Sequence, residues 1–467
     1  MIALVLSWLV VRFDGFEAEI GPAVLLTLGA LGCMAVVAAG PVACLAAIGA
    51  LTVSGIRPVL AEPSGLEVTI VDVFYAGLVG WWLLGLIGRA QRARPDPRQR
   101  IAFGQSVAIA LFVYVALTFF HVANSDPGAL DDSIISWLRV VLTASIAFLA
   151  ASVIETKRDV RIVLGATVAA GAVAIVVGAF NAGSLLDSLS EGRTGGALGP
   201  NALGLVSGLL LLSAAFGAVT AKWRYRIALV VVGAVGLLLA KSVAAFVATG
   251  LVLALAASLA GKASPAQRVT RVALAVALAG LVVVGLVQLL RPEIMPGSEG
   301  FKGSSAQQRI ILAAAGVEIF ERNAVIGVGW RQSSSPEVVG DREIANEVRR
   351  RFPDARSVLY PDIRPSSVHN TYVQVLADLG IVGFALFAAL LMAIALSATK
   401  LLRRLKRSDD LWPEAWTMTF GLLLVAVWLN DNPLFGGEPP MVIAALLVGM
   451  LAAIWRIYAP GAKGSAE

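Results

Sequence analysis

The chemistry this chain can offer is concentrated in a few polar residues set against an apolar background. His369, one of only two histidines, stands where a long hydrophilic stretch ends and an apolar run begins, in Ser-Ser-Val-His369-Asn370-Thr-Tyr-Val-Gln-Val-Leu-Ala-Asp-Leu-Gly380. An imidazole at such a seam can take a proton from an attacking hydroxyl near neutral pH, the usual work of a general base. The plainer reading is a hydrogen-bonded structural histidine at a boundary. Arg309 follows Ser305 and Gln308, whose three-residue spacing makes a capping box, so a helix is expected to start there. A cation in a first helical turn opposes the helix dipole, which makes Arg309 either incidental or an anion ligand. Arg193 lies among Gly192, Gly195, Gly196 and Gly199, just before Pro200 and Asn201 open the next apolar run. Glycine-rich backbone can converge its N–H groups on an anion, although a flexible turn with a solvated arginine fits the same letters.

These residues need positioning, and the composition says by what. The chain has 467 residues, 58% of them apolar, a mean hydropathy of +0.82 and only 15% charged. That exceeds the roughly 45–50% apolar content of ordinary globular chains. Runs of about 20 apolar residues, enough to cross a bilayer as helices, recur from end to end. The expected fold is an all-α polytopic membrane protein of about 12–14 transmembrane helices. It divides into N-terminal helices over 1–290, one long extracytoplasmic loop over 291–368, and C-terminal helices over 369–467. Hydropathy places the span that follows His369 near 369–399. Residues 1–11 are a short apolar stub without the features of a cleaved leader.

Within the long loop, Ile310, Ala313, Ala314, Val317 and Phe320 recur at helical spacing and predict one apolar side, with Asn323 and Gly327-Val-Gly329 ending the element. A second amphipathic helix is expected between Asp341 and Phe352, its Arg349-Arg350-Arg351 run forming a solvated or headgroup-facing side. The other histidine, His121, is expected in a short outward loop with a structural role.

The net charge of +6 does not indicate a nucleic-acid partner, because the basic residues cluster in alternate short loops. One set carries Arg89 to Arg100, Lys157, Arg158, Arg161, Lys222 to Arg226 and Lys400 to Arg407. By the positive-inside rule that set is cytoplasmic, and His369, Arg309 and Arg193 face the other side. Cys33 and Cys44 fall inside apolar runs and suggest neither disulfide nor metal cage. No metal site or cofactor is expected.

The stretch from His369 to Gly383, with Arg193-Thr-Gly-Gly-Ala-Leu-Gly-Pro-Asn201, Gln308-Arg309-Ile-Ile-Leu and Asn323-Ala-Val-Ile-Gly-Val-Gly329 in order, resembles the O-antigen ligase and O-antigen polymerase-like family of bacterial envelope glycosyltransferases. The resemblance implies a metal-free enzyme of the cytoplasmic (inner) membrane with its site facing the periplasm or exterior. It would transfer a glycan from an undecaprenyl-diphosphate carrier to an acceptor hydroxyl, whether of another glycan, a lipid-A core or a protein. It further implies that His369 activates the acceptor, that Arg193 and Arg309 hold the diphosphate, and that Asn370 and Asn201 support them. Relatives commonly place a basic residue after a serine on the outer end of one span. Here Lys241 precedes Ser242 instead, a shift of two positions that swings a side chain about 200° around a helix. Direct displacement with inversion is the expected course.

Other classes leave different marks. A polymerase of the same family would extend a lipid-linked glycan with the same groups. A transporter of lipid or polysaccharide would require intramembrane charges and inverted repeats. Mid-span charge is sparse in this chain. A non-catalytic envelope scaffold would be indifferent to loss of His369.

Overall fold

The structure, a computed structural model, describes residues 30–55, 59–61, 68–90, 103–123, 130–181, 198–259, 304–353, 355, 357–363, 366–431 and 438–458. Arg193 with Gly192, Gly195 and Gly196, the stub 1–11 and the span expected near 272–290 lie outside the described residues. The elements are α1 (Pro41–Ser54), a short antiparallel ribbon of β1 (Val59–Ala61) with β2 (Val68–Thr69), α2 (Ile70–Ala90), α3 (Phe103–Ala123), α4 (Leu130–Val153), α5 (Lys157–Asn181), α6 (Pro200–Phe216), α7 (Trp223–Ala240) and α8 (Val243–Leu259). After them come α9 (Ser304–Arg322), α10 (Pro336–Val339), α11 (Arg342–Arg351), α12 (Thr371–Arg404), α13 (Trp412–Trp428) and α14 (Glu438–Ile457).

Helices of this composition have one way to satisfy every backbone group in hydrocarbon, which is internally. Among the described residues five are long and apolar enough to cross a membrane, within α4, α5, α7, α12 and α14, and five shorter apolar helices accompany them. The fold is polytopic and α-helical, as hydropathy predicts. Small residues set the packing: α6 lies against α7, α8 and α13, where Gly236, Gly204 and Gly208 leave room for Ser207, Ala245 and Leu424.

The bundle sorts its polar groups by end. At one end, Arg226 donates to the Ala214 and Ala215 carbonyls at 2.7 and 2.9 Å, and Arg456 donates to the Ile154 carbonyl. These are C-terminal carbonyls of α6 and α4, which a helix cannot satisfy for itself and whose dipole attracts cations. At the same end Arg161 pairs with the buried Glu414 at 2.8 Å, Lys157 pairs with Asp410 at 2.7 Å, and Arg404 lies 4.2 Å over the Trp455 ring. The basic loops that carry the orientation signal thus also tie the helix ends together.

At the other end sits a small helical layer, α9 to α11, with its own apolar core of Ile311, Leu312, Ala315, Ile319, Ile344, Val348, Leu359, Tyr360 and Ala377. The expected apolar side of α9 is corrected by this core. Ile310 is exposed and Ile311 is buried, so the buried face is turned one residue from the one predicted. Residues 310–320 are apolar on nearly every side, and periodicity alone does not select among the faces. The arginine run of α11 is an exposed side, with the Arg350 side chain 75% exposed, and is also ion-paired: Arg349 pairs with Asp362, and Arg351 reaches Glu318 at 3.0 Å and Glu321 at 3.5 Å. Glu318 also accepts from Arg322 at 3.2 Å, so the charges bolt α11 to α9.

Ala377 of α12 belongs to that outer core, and this exposes a second correction. The single span expected from 369 is broken at Gly380, whose φ of 63° and ψ of −167° are not helical. At 34 residues α12 would measure about 51 Å unbroken, well beyond a bilayer's hydrocarbon core of roughly 30 Å. Residues 381–399 alone cover about 28 Å, so the crossing starts after the break.

The loop after α9 is threaded against that break. Val328 and Gly329 donate to the carbonyls of Ala377 and Asp378 at 3.0 and 2.9 Å, and Ile381 donates to Ala324 at 2.8 Å. Gly327 (φ +70°) faces the backbone so closely that a Cβ would lie 2.3 Å from the Asp378 carbonyl carbon. Gly327→Ala is therefore expected to destabilise by well over the usual 1 kcal/mol or so of a point change, since both backbone conformation and contact are violated. Gly199→Ala has a similar φ of +72° but open space within 4 Å, and should cost only about 1–2 kcal/mol. Thermal unfolding of the two variants in detergent checks the difference.

Candidate functional site

His369 is brought to its place by the helix it precedes. Asn370 caps α12, its side-chain oxygen accepting from the Val373 N–H at 3.1 Å. Its amide donates at 3.1 Å to Asn430, in the 3-10 turn that ends α13. Tyr372 donates to the Ala426 carbonyl at 2.7 Å, and Trp428 donates to the Asn201 carbonyl at 3.1 Å. The end of α13 thereby gathers the starts of α6 and α12. Asn370 holds the start of its own helix and a neighbouring amide, whereas Asn201 contributes its backbone carbonyl.

Arg309 arrives from the outer layer. It shares a face of α9 with Gly316, seven residues on, since two helical turns return a side chain nearly to its starting direction. Gly316 has no side chain, and a Cβ there would meet Val373 at 2.8 Å and Val368 at 3.1 Å. The absent methyl lets α9 lie directly on the residues flanking His369. The helix starts at Ser304, one residue ahead of the expected cap, with Arg309 in its second turn.

The electrostatics follow from that approach. Burial disfavours the charged imidazole, and the positive charge of Arg309 disfavours it further, so His369 titrates below its ordinary value. Its Nδ1 is buried and no hydrogen bond reaches it among the described residues. A neutral ring with one unengaged nitrogen has the form a proton acceptor requires. Most buried polar atoms are hydrogen-bonded, so an orphan nitrogen calls for an explanation.

Lys241 stands at the C-terminal cap of α7 in left-handed conformation, φ 44° and ψ 33°. A non-glycine residue held there costs of order 1–3 kcal/mol. Burial pulls its ammonium below the ordinary lysine range. The next residue, Ser242, is buried and its hydroxyl turns inward to accept from the Ala245 N–H at 3.4 Å. The basic residue, rather than the serine, is thus the half-exposed group at this turn.

His121 corrects another expectation. It lies in the last turn of α3 rather than in a loop, and is buried, with Nδ1 2.9 Å from the Leu117 carbonyl and Nε2 2.8 Å from the Ile326 carbonyl. The structural role expected for it agrees with these contacts. Asn430 and Trp428 escaped the sequence reading altogether; the signal available was an indole and an asparagine closing an apolar run. Among the described residues no three His, Cys, Asp or Glu side chains gather at ligand spacing, so none presents a metal-binding set.

Residues 227–388 match the family model described as O-antigen ligase. The matched stretch contains Lys241, Arg309, His369 and Asn370, and ends after the Gly380 break. No curated protein matches the chain.

Proposed function

Starting from a chain that is O-antigen ligase-like over 227–388 and so aligned with ligase or polymerase work in surface polysaccharide biosynthesis, we propose that it is a membrane glycosyltransferase of that type. The donor is a glycan on undecaprenyl diphosphate, and the acceptor is a hydroxyl outside the cytoplasmic membrane. The observation that carries the reading is His369: a neutral-leaning imidazole with an unengaged buried nitrogen, within reach of the positive charge of Arg309.

The chemistry needs two things, and this pair supplies both. A diphosphate is already a good leaving group, so the reaction calls for charge stabilisation at the departing oxygens and one base for the acceptor. An arginine's planar fork matches phosphate oxygens and keeps its charge at any working pH. In our mechanism His369 takes the acceptor hydroxyl proton while that oxygen attacks the anomeric carbon. The carbon–oxygen bond to the diphosphate breaks on the opposite face, giving inversion, and Arg309 holds the leaving group. Arg193 is proposed as a second diphosphate ligand, and Lys241 as a third charge at the same end of the bundle. Lys157, Arg161, Arg226 and Arg456 gather at the opposite end, and the positive-inside rule applied to that end supports a periplasmic or exterior site.

The test is direct. Purified protein in nanodiscs, given an undecaprenyl-diphosphate-linked glycan, should release undecaprenyl diphosphate only when an acceptor is present. Release with a second lipid-linked glycan as acceptor indicates a polymerase, and release with a lipid-A core or protein indicates a ligase. No release with any acceptor, from protein that binds the donor, would remove the transferase reading.

A further inference from the structure

We infer that the loop joining α9 to the Gly380 break, residues 323–329, lies at the interface of the bilayer leaflet opposite the basic loops, with the side chains of Val325 and Ile326 inserted among lipid acyl chains. The inference does not depend on the proposed reaction. Its first support is exposure. Val325 and Ile326 are 63% and 57% exposed, two adjacent branched apolar side chains that no other described part of the protein covers.

The second support is depth. Ile326 neighbours Gly327, which packs on the backbone of Asp378 and Leu379, and Val325 lies against Gly380. Ile381 donates to the Ala324 carbonyl and Val382 to the Val325 carbonyl, at 2.8 and 3.4 Å. Those two donors open the membrane-crossing part of α12, and their own side chains are 51% and 41% exposed. The exposed face of the loop therefore continues the lipid-facing face of the span at the same level. On the other flank Phe119 and Phe120, near the end of α3, are exposed too, and Phe119 packs at 5.0 Å on Trp137, a residue type favoured at the membrane interface.

The third support is the backbone. Irregular chain is tolerated at membrane depth only where protein covers it or it lines water, so the backbone of this loop stays at the interface and only the Val325 and Ile326 side chains reach into hydrocarbon. Four successive carbonyls here have donors: Asn323 from the Gly327 N–H at 2.8 Å, Ala324 from Ile381, Val325 from Val382, and Ile326 from His121 Nε2 at 2.8 Å. Just before the loop, Arg322 and its partner Glu343 return to a polar surface. The layer that carries Arg309 is by this means held at headgroup height.

Nitroxide labels at Val325→Cys and Ile326→Cys, each in a Cys33→Ala, Cys44→Ala background reconstituted in nanodiscs, test the placement. Power saturation should show oxygen collisions exceeding those of a water-soluble nickel chelate, as for a lipid-facing label at Met392→Cys on the body of α12. A label at the exposed Glu337→Cys should show the reverse. Nickel accessibility at 325 and 326 equal to that at 337 would place the loop in water and overturn the inference. Exclusion of both reagents would mean that protein, such as a second copy, covers it, which overturns it equally. Should the label at 326 disturb the bond to His121, position 325, whose carbonyl partner is Val382, gives an independent reading.

Discussion

His369→Ala is expected to insert, fold and bind the lipid-linked donor like the wild type while losing roughly 10²–10⁴-fold in transfer rate, the usual contribution of a positioned general base. The retained fold follows from local geometry: Asn370, not His369, caps α12, and no hydrogen bond reaches the histidine's Nδ1. A pH profile adds a reading that a structural role would not move. The base works unprotonated, so activity falls as the pH drops through its titration. Burial first, and then Arg309, lower that titration, so the acid limb of the wild-type kcat/KM profile should lie below the ordinary imidazole value of about 6.5. Single-turnover transfer assays across pH check both. An alanine variant with full transfer would take His369 out of the mechanism, and an acid limb above the ordinary value would contradict its environment.

Hydropathy made the membrane body legible because bilayer thickness imposes a length on every apolar run. The amphipathic helix near Asp341 was legible for a similar reason, since Asp341 caps it and Ile344 and Val348 fall on its buried side. Other features were hidden by the same apolarity. The apolar side chains on either side of Gly380 gave no sign that the chain breaks there, because only the glycine's positive φ and the approach of Val325 mark it. The face of α9 was unreadable while apolar residues lay nearly all round it. At the site, the pairing of Arg309 with His369 was expected only from chain folding over a long loop. Its physical cause is Gly316, a residue whose significance is an absence of atoms and which no motif singled out. His121 was placed in a loop because its apolar run fades there, and the long-range bond to Ile326 that fixes it is a tertiary fact.

Arg309→Gln is expected to produce two effects of opposite kind, and their combination is diagnostic. Loss of the guanidinium removes stabilisation of the departing diphosphate, and by analogy with other electrostatic donors should cost about 10²–10³-fold in transfer. It also removes the positive charge that disfavours protonation of His369, so the acid limb should move upward. The limb should stop short of the ordinary imidazole value, because burial is the larger cause and remains. Arg309→Lys keeps a charge but replaces a bidentate fork by a point, so it should restore the position of the limb and only part of the rate. Donor affinity, measured separately from turnover, should weaken in the glutamine variant and recover in part with lysine. A glutamine variant with wild-type transfer would make Arg309 an ordinary surface charge. A rate loss without movement of the limb would separate the diphosphate role from the histidine, leaving Arg309 a donor ligand that does not tune the base.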